Sequence, residues 1–188
     1  MNEDPTQCGL LLPYGDLFPK VAEDAFVAPT SVLIGDVTVG AGSTVLFNCT
    51  LRGDVNFVRV GEQSNIQDGS TIHVTVDGSP TIIGDRVSVS HNVMLHACTL
   101  EDESFVGMSA TVMDDRVIER HGMLAAGAVL TPGKRIGRGE LWSGTPAKLW
   151  RQLDEKQIER NLRAWQSYYT YSRNYLAQGI GKVGAQAR

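Results

Sequence analysis

The sequence predicts an all-β fold, a left-handed parallel β-helix of hexapeptide repeats followed by a C-terminal α-helix. Three observations carry that prediction. Aliphatic–glycine pairs recur along the chain, at Ile34-Gly35, Val39-Gly40, Val60-Gly61, Ile83-Gly84, Val106-Gly107 and Ile136-Gly137. Aliphatic residues fall at steps of six, as in Val27, Leu33, Val39, Val45, Leu51 and Phe57. From Asp154 onward glycine vanishes for a long stretch, and apolar residues recur at threes and fours.

A step of six fits neither an amphipathic helix nor a half-buried strand, whose apolar positions recur at about 3.6 and about 2 residues. It fits a triangular coil whose flat faces take about six residues each, with one aliphatic side chain pointing inward per face. Small residues (Gly, Ala, Ser, Thr) are expected at the corners, where approaching backbone leaves little room for a large substituent on Cβ. Three faces make a turn of about eighteen residues, and stacked turns pair as parallel strands about 4.8 Å apart. A Gly-rich β-sandwich would show period-two strands bounded by turns, a pattern absent over most of this chain.

In chain order, residues 1–20 are expected to cap one end of the coil and cover its strand edges. Glu3 and Asp4 stand where a signal peptide needs positive charge, and Leu10-Leu11-Leu12 is too short for an export or membrane segment. Cytoplasm is the default expectation. The coil is expected over residues 21–150, with roughly seven turns between residues 21 and 147. Its other aliphatic runs are Val60, Ile66, Ile72, then Ile83, Val89, Leu95, then Leu100 through Val106, Val112, Ile118, Leu124, Leu130 and Ile136 to Trp142. The register slips after Phe57, through residues 74–82 and after Leu95. Ser143-Gly144-Thr145-Pro146-Ala147 closes the last repeat. Residues 151–178 read as a helix, with Asp154 as N-cap and a stripe of Ile158, Leu162, Trp165, Tyr168, Tyr169 and Leu176. Such a helix needs a coil wall to pack on, its own or a neighbour's. Residues 179–188 are Gly- and Ala-rich and expected to be a flexible tail.

At 188 residues the chain fits one domain with a core that needs no disulfide staples. A hydrophobic content of 42% with 20% charged residues fits a folded protein rather than disorder. The net charge of −4 gives no support to a nucleic-acid or anionic-membrane partner. Cys8, Cys49 and Cys98 form no CxxC pair, which argues against a zinc ribbon or disulfide framework and for small buried residues.

His73, His91 and His96 lie within 24 residues of one another, and only His121 lies elsewhere. His91 follows His73 by 18 residues, one turn of an uninterrupted coil, but the insertion Val76-Asp77-Gly78-Ser79-Pro80 leaves the final facing open. His91 and His96 are five apart, on successive faces, so one chain need not converge all three rings where two subunits side by side could. Neutral imidazoles are the commonest zinc ligands, and three of them with an open fourth position is the catalytic arrangement. A lone histidine on such a wall is ordinarily a surface or corner residue; three at one level of the coil are not ordinary.

Around the histidines stand Arg52-Gly53-Asp54, Asn65-Ile66-Gln67-Asp68-Gly69, Ile72-His73, His91-Asn92 and Leu95-His96, in that order. This series resembles the γ-class carbonic anhydrases and their close bacterial relatives. Gly107-Met108-Ser109-Ala110 and Gly144-Thr145-Pro146-Ala147-Lys148 extend the resemblance over about residues 14–175. The aliphatic–glycine repeats alone do not carry it, since many acyltransferases share them. The resemblance implies a homotrimer with a metal between adjacent subunits, His73 and His96 coming from one and His91 from its neighbour. It implies Zn2+, with Fe2+ or Co2+ as alternatives that imidazole ligands do not distinguish. The implied reaction is reversible hydration of carbon dioxide to bicarbonate, the metal bringing the pKa of its bound water towards about 7 so that the resulting hydroxide attacks carbon. Gln67 would orient the hydroxide or substrate, with Asn65 assisting. Arg52, Asp54 and Asp68 would form a charge-assisted network near the subunit boundary, a purely structural salt-bridge cluster being the other reading. Tyr168 would reach from the helix towards the site, with Tyr169 and Tyr171 close enough in sequence to compete for that role.

One departure bears on activity. The founding members of the family carry a longer acidic loop after the first histidine, with glutamates that shuttle protons. Here Val74–Thr81 holds only Asp77, which implies weak turnover or another proton acceptor. His121 has the chemistry of a relay but is expected on the coil surface. Two other functions stay open. One is a metal-dependent acyl-CoA thioesterase or transferase, since hexapeptide trimers often bind CoA between subunits. The other is a non-catalytic trimeric scaffold that binds a protein partner through Trp165, Tyr168, Tyr169, Tyr171 and Tyr175.

Overall fold

The computed structural model describes residues 8–181, so the ends of the expected N-terminal cap and C-terminal tail lie outside the described residues. The chain is a left-handed parallel β-helix of about seven turns with one C-terminal helix. The first face stacks parallel strands from Phe26–Val27 through Asn65–Ile66 and Ser88–Val89 to Glu140–Gly144. The second face carries Thr71–His73, Met94–His96, Thr111–Val112 and Val129–Leu130. The third carries Thr81–Ile83, Thr99–Leu100, Val117–Ile118 and Arg135–Ile136. Two long strands, Val32–Val39 and Thr50–Val60, bend round the edge between the second and third faces and join them into one sheet.

Parallel pairing lays each inward residue on its counterpart in the next turn. On the second face Leu33, Leu51, Ile72, Leu95, Val112 and Leu130 form one fully buried column. The six-residue columns read from the sequence therefore point inward, with Phe57 as an exception. Phe57 is only partly buried, under the Arg59 guanidinium 4.4 Å from its ring centroid, and Val58 takes the inward place. The cause is register. From the second-face column to the third, Leu33 to Val39 is six residues, Leu51 to Val60 nine, Ile72 to Ile83 eleven and Leu95 to Leu100 five, yet all four pairs align. The extra residues, around 54–57 and 74–80, bulge out at the edge between these two faces.

The corners hold more than small residues. Asn48, Asn92 and Ser109 adopt left-handed backbone at one edge, and Gln63, Arg86, Glu103 and His121 do so at another. All of them are at least partly exposed, so side-chain size is not limiting there, and Asn in particular tolerates positive φ. The tight place is the glycine of each aliphatic–glycine pair. Gly40, Gly61 and Gly84 stack, and a Cβ on Gly61 would lie 2.7 Å from the carbonyl carbon of Gly84.

The ends differ from a simple cap and stop. Leu10–Leu12 pairs in parallel with Val32–Ile34, and Lys20–Val21 with Thr38–Val39, so this stretch is a rung of the coil itself rather than a separate cap. At the other end Ala147–Gln152 folds back antiparallel on Glu140–Gly144, a hairpin that a six-residue repeat cannot foretell. The helix spans Glu155–Ala177, and the Asp154 side chain accepts from the Gln157 N–H while the Gln157 side chain accepts from the Asp154 N–H. It packs on the first face of its own coil, where Tyr168, Tyr175 and Leu176 meet Phe26, Leu46 and Phe47.

Candidate metal centre

His73 and His96 end the neighbouring strands Thr71–His73 and Met94–His96 and are direct partners across the ladder. They are 23 residues apart rather than 18 because the loop around 74–80 lengthens that turn. Nδ1 of His73 lies 3.1 Å from Nε2 of His96. Each ring's other nitrogen meets a carboxylate: Nε2 of His73 lies 3.1 Å from Oδ1 of Asp54, and Nδ1 of His96 lies 2.7 Å from Oδ1 of Asp114. Asp54 is held in turn by the Arg52 guanidinium, and Asp114 accepts the hydroxyl of Thr75. Burial would raise the Asp54 carboxyl, but hydrogen bonds from Arg52 and His73 outweigh it and hold it below its ordinary value. The Thr75 hydroxyl, and after it His96, hold Asp114 below its own against a smaller opposing effect of burial.

These carboxylates decide what the facing nitrogens carry. An anionic acceptor beside one ring nitrogen draws the N–H to that side and leaves a lone pair on the other. With both outer nitrogens donating, two lone pairs confront each other, and only a cation between them makes that contact favourable. Two nitrogens at about 2.0–2.1 Å from one tetrahedral ion lie about 3.3 Å apart, close to the separation found here. The donor set on this edge fits a metal ion.

His91 lies in the turn between Ser88–Val89 and Met94–His96, on the opposite edge of the second face. Its Nδ1 is 2.9 Å from Oδ2 of Asp68, and its Nε2 is 3.2 Å from the hydroxyl of Tyr168. Burial, and then the Asp68 charge, push the Tyr168 phenol up, so it stays protonated and donates to Nε2. Asn65 and Gln67 are buried on the same edge. Gln67 Nε2 donates to Asn65 Oδ1 at 2.9 Å, and Asn65 Nδ2 donates to Ser88 Oγ at 3.0 Å. Asn65 therefore acts on the site through Gln67.

The residues singled out from the sequence fall into two groups. Arg52, Asp54, His73 and His96 share one edge of the second face; Asn65, Gln67, Asp68, His91 and Tyr168 share the other. Among the described residues no group of three or more His, Cys, Asp or Glu side chains within the chain is placed to hold a metal. Arg52, Asp54 and Asp68 likewise form no single network within the chain. His121 belongs to neither group; it sits at a third corner beside Glu103 and Arg120. Asp114 and Thr75 were not singled out. Asp114 carried a readable signal, since it follows His96 by 18 residues, one turn of the coil.

Between the two groups the second face is uncharged along its outward column of Val32, Thr50, Thr71, Met94, Thr111 and Val129. The matching column on the third face includes Lys20, Arg59 and Arg135. A face without charge is one that can be covered without stranding an ion.

No protein-family model matches the sequence. The chain is 49% identical over 148 residues to gamma carbonic anhydrase 1, mitochondrial, of Arabidopsis thaliana, a match that covers 76% of this chain and 54% of that protein. It thus spans about half the length of that relative. It is 38% identical over 139 residues to a probable carbonic anhydrase of Methanocaldococcus jannaschii, covering 74% of this chain and 87% of that one. Among solved structures, a hexapeptide transferase family protein from Anaplasma phagocytophilum shares 42% identity and a TM-score of 0.85, over 88% of this chain and 98% of that one. With its hexapeptide coil and these degrees of identity, the chain belongs to the γ-carbonic anhydrase-like family of hexapeptide-repeat proteins.

Proposed function

We propose that this protein is a metal-dependent carbonic anhydrase whose centre is completed between copies in a homotrimer, and that it converts carbon dioxide reversibly to bicarbonate. The observation that supports this most is the division of the three histidines between the two edges of an uncharged face, each ring held by its own aspartate. In a closed ring of copies packed through that face, one copy's His91 side would adjoin the next copy's His73 and His96. The metal-binding set would then be His73, His91 and His96.

A bound zinc ion, or Fe2+ or Co2+, would supply the Lewis acidity that lets water lose a proton near neutral pH. The rest falls to the chain's own residues. Asp54, Asp68 and Asp114 each hold one imidazole with an N–H turned away from the centre. Arg52 keeps Asp54 in place and charged. Tyr168 occupies the outer nitrogen of His91 and would release it on assembly, which leaves a phenol hydroxyl at the margin of the site. Gln67, fixed by Asn65, keeps its amide oxygen to accept a hydrogen bond from the attacking water or from bicarbonate, already oriented before substrate arrives. The proton leaves past a loop whose only acid is Asp77, so solvent buffer is the expected acceptor and turnover should be slow at low buffer concentration.

Metal analysis on anaerobically prepared protein, with stopped-flow indicator measurement of carbon dioxide hydration, tests this reading. The expected result is about one metal per chain, a rate above that of buffer that climbs with buffer concentration, and loss of metal in His91→Ala. A metal-loaded trimer no faster than buffer would refute the lyase. A metal-free trimer fully active on any substrate would refute the metal enzyme. The transferase family named for the Anaplasma relative favours a second reading, an acyl-CoA thioesterase or transferase, which CoA-ester turnover without carbon dioxide hydration would establish.

A further inference from the structure

We infer that Asp114, clamped by Thr75, is a positioning residue for the metal ligand His96, and that the loop inserted after His73 serves to deliver Thr75 to it. The inference rests on the metal-centre reading above. Asp114 lies in the turn between Thr111–Val112 and Val117–Ile118, one rung beyond His96. One carboxylate oxygen, Oδ1, is 2.7 Å from Nδ1 of His96, and the other takes the Thr75 hydroxyl. With both oxygens engaged, the carboxylate cannot swing away from the ring. This matters because the Asp114 side chain is 43% exposed, so water competes for it and a single bond to the imidazole would not hold its direction.

The loop is itself fastened down. Asn56 Nδ2 donates to the carbonyl oxygens of Gly78 at 2.8 Å and of Thr75 at 3.3 Å. The Ser79 hydroxyl donates to Oδ1 of Asp115, next to Asp114. Two inserted segments, 54–57 and 74–80, thus brace each other and the next rung, and Thr75 is carried at the point where they meet. The chemical effect is on the tautomer. An acceptor fixed at Nδ1 keeps the proton there and leaves Nε2 of His96 as a lone pair aimed at the nitrogen of His73. Without it, the proton is free to sit on Nε2, where a metal must bind.

The test uses the full chain with Asp114→Ala, Asp114→Asn, Thr75→Val and Thr75→Ser. Co2+ affinity is measured by competition with a chromophoric chelator, and the His96 tautomer of the metal-free protein by 15N-histidine NMR. Asp114→Ala is expected to weaken Co2+ binding by about 10–100-fold and to move the His96 proton towards Nε2. Asp114→Asn, which keeps an acceptor but no charge, should fall between it and the wild type. Thr75→Val should weaken binding several-fold, and Thr75→Ser, which restores the hydroxyl, should recover it. A bracing role alone would lower the melting temperature and leave the tautomer unchanged. If Asp114→Ala does not fold, Asp114→Asn and Thr75→Val carry the same comparison. A wild type that binds Co2+ beside variants that bind it equally, with an unchanged tautomer, overturns this inference alone. A wild type that takes up no Co2+ overturns the metal centre and this inference with it.

Discussion

Leu95→Ala separates the fold from the site at one strand. Leu95 is fully buried between Ile72 and Val112 in the second-face column, and its neighbours Met94 and His96 point outward. Truncation removes three carbons from a place where the rungs on either side are held by continuous ladder hydrogen bonds. The interior therefore cannot collapse to fill the void, which puts the loss in the upper part of the about 2–5 kcal/mol range for such changes. For a chain of this size each kcal/mol lowers the melting temperature by about 2–4 °C, so a fall of roughly 6–16 °C is expected for about 3–4 kcal/mol. Melting followed by circular dichroism on metal-free protein reads this directly, with Met94→Ala as the control. Met94 is 40% exposed on the isolated chain, so its truncation there should cost under about 0.5 kcal/mol. Equal losses for the two variants, or less than about 1 kcal/mol for Leu95→Ala, would mean that the six-residue columns do not form the core.

Three other outcomes follow from the same structure. Met94→Lys places a charge at the centre of the uncharged face; sedimentation velocity should find the trimer dissociated and metal analysis should find the metal lost, with the melting of the isolated chain hardly changed. A variant that stays trimeric would remove that face from the interface. Glu103 is nearly buried between Arg86 at 3.0 Å and Arg120 at 2.6 Å. Burial alone would raise its carboxyl, but these two arginines hold it below the ordinary 4.5. A folded value below the unfolded one stabilises above about pH 4.5 and is lost as pH falls through the folded value, so the urea midpoints of wild type and Glu103→Gln should converge on acidification. Convergence towards alkaline pH instead would contradict the ion-pair assignment. Gly61→Ala and Gly127→Ala form a pair for urea titration. At Gly61 the new Cβ meets Gly84 backbone at 2.7 Å, whereas at Gly127, φ +67°, nothing lies within 4 Å. The second should cost about 1–2 kcal/mol for the left-handed conformation alone and the first clearly more; the reverse order would place the close approach elsewhere.

Much of the fold was legible because each rung solves the same local steric problem. An inward aliphatic and a glycine where backbones meet leave a mark every six residues, and Asp154 with Gln157 marks the start of the helix. The corners were less legible, because a position that tolerates Arg86 or His121 at positive φ leaves no compositional trace. The antiparallel return of Ala147–Gln152 was not legible at all, since it breaks the repeat. Of the site, the histidines and the Asn65–Asp68 and Arg52–Asp54 blocks stood out by residue type and order. Thr75 did not, because a hydroxyl in a polar loop looks like any other until its partner across 39 residues is known.

By itself the sequence determined which side chains enter the core, where the helix begins, and which residues have the chemistry to hold a metal. Those are properties of a single rung or a single side chain, and a periodic chain displays them directly. Only the tertiary structure decided which histidines meet. Parallel pairing follows backbone hydrogen bonds between rungs, not distance along the chain. The residues inserted around 54–57 and 74–80 therefore change every alignment after them. They set His73 against His96, 23 residues on, and leave His91, 18 residues on, at the far edge of the second face.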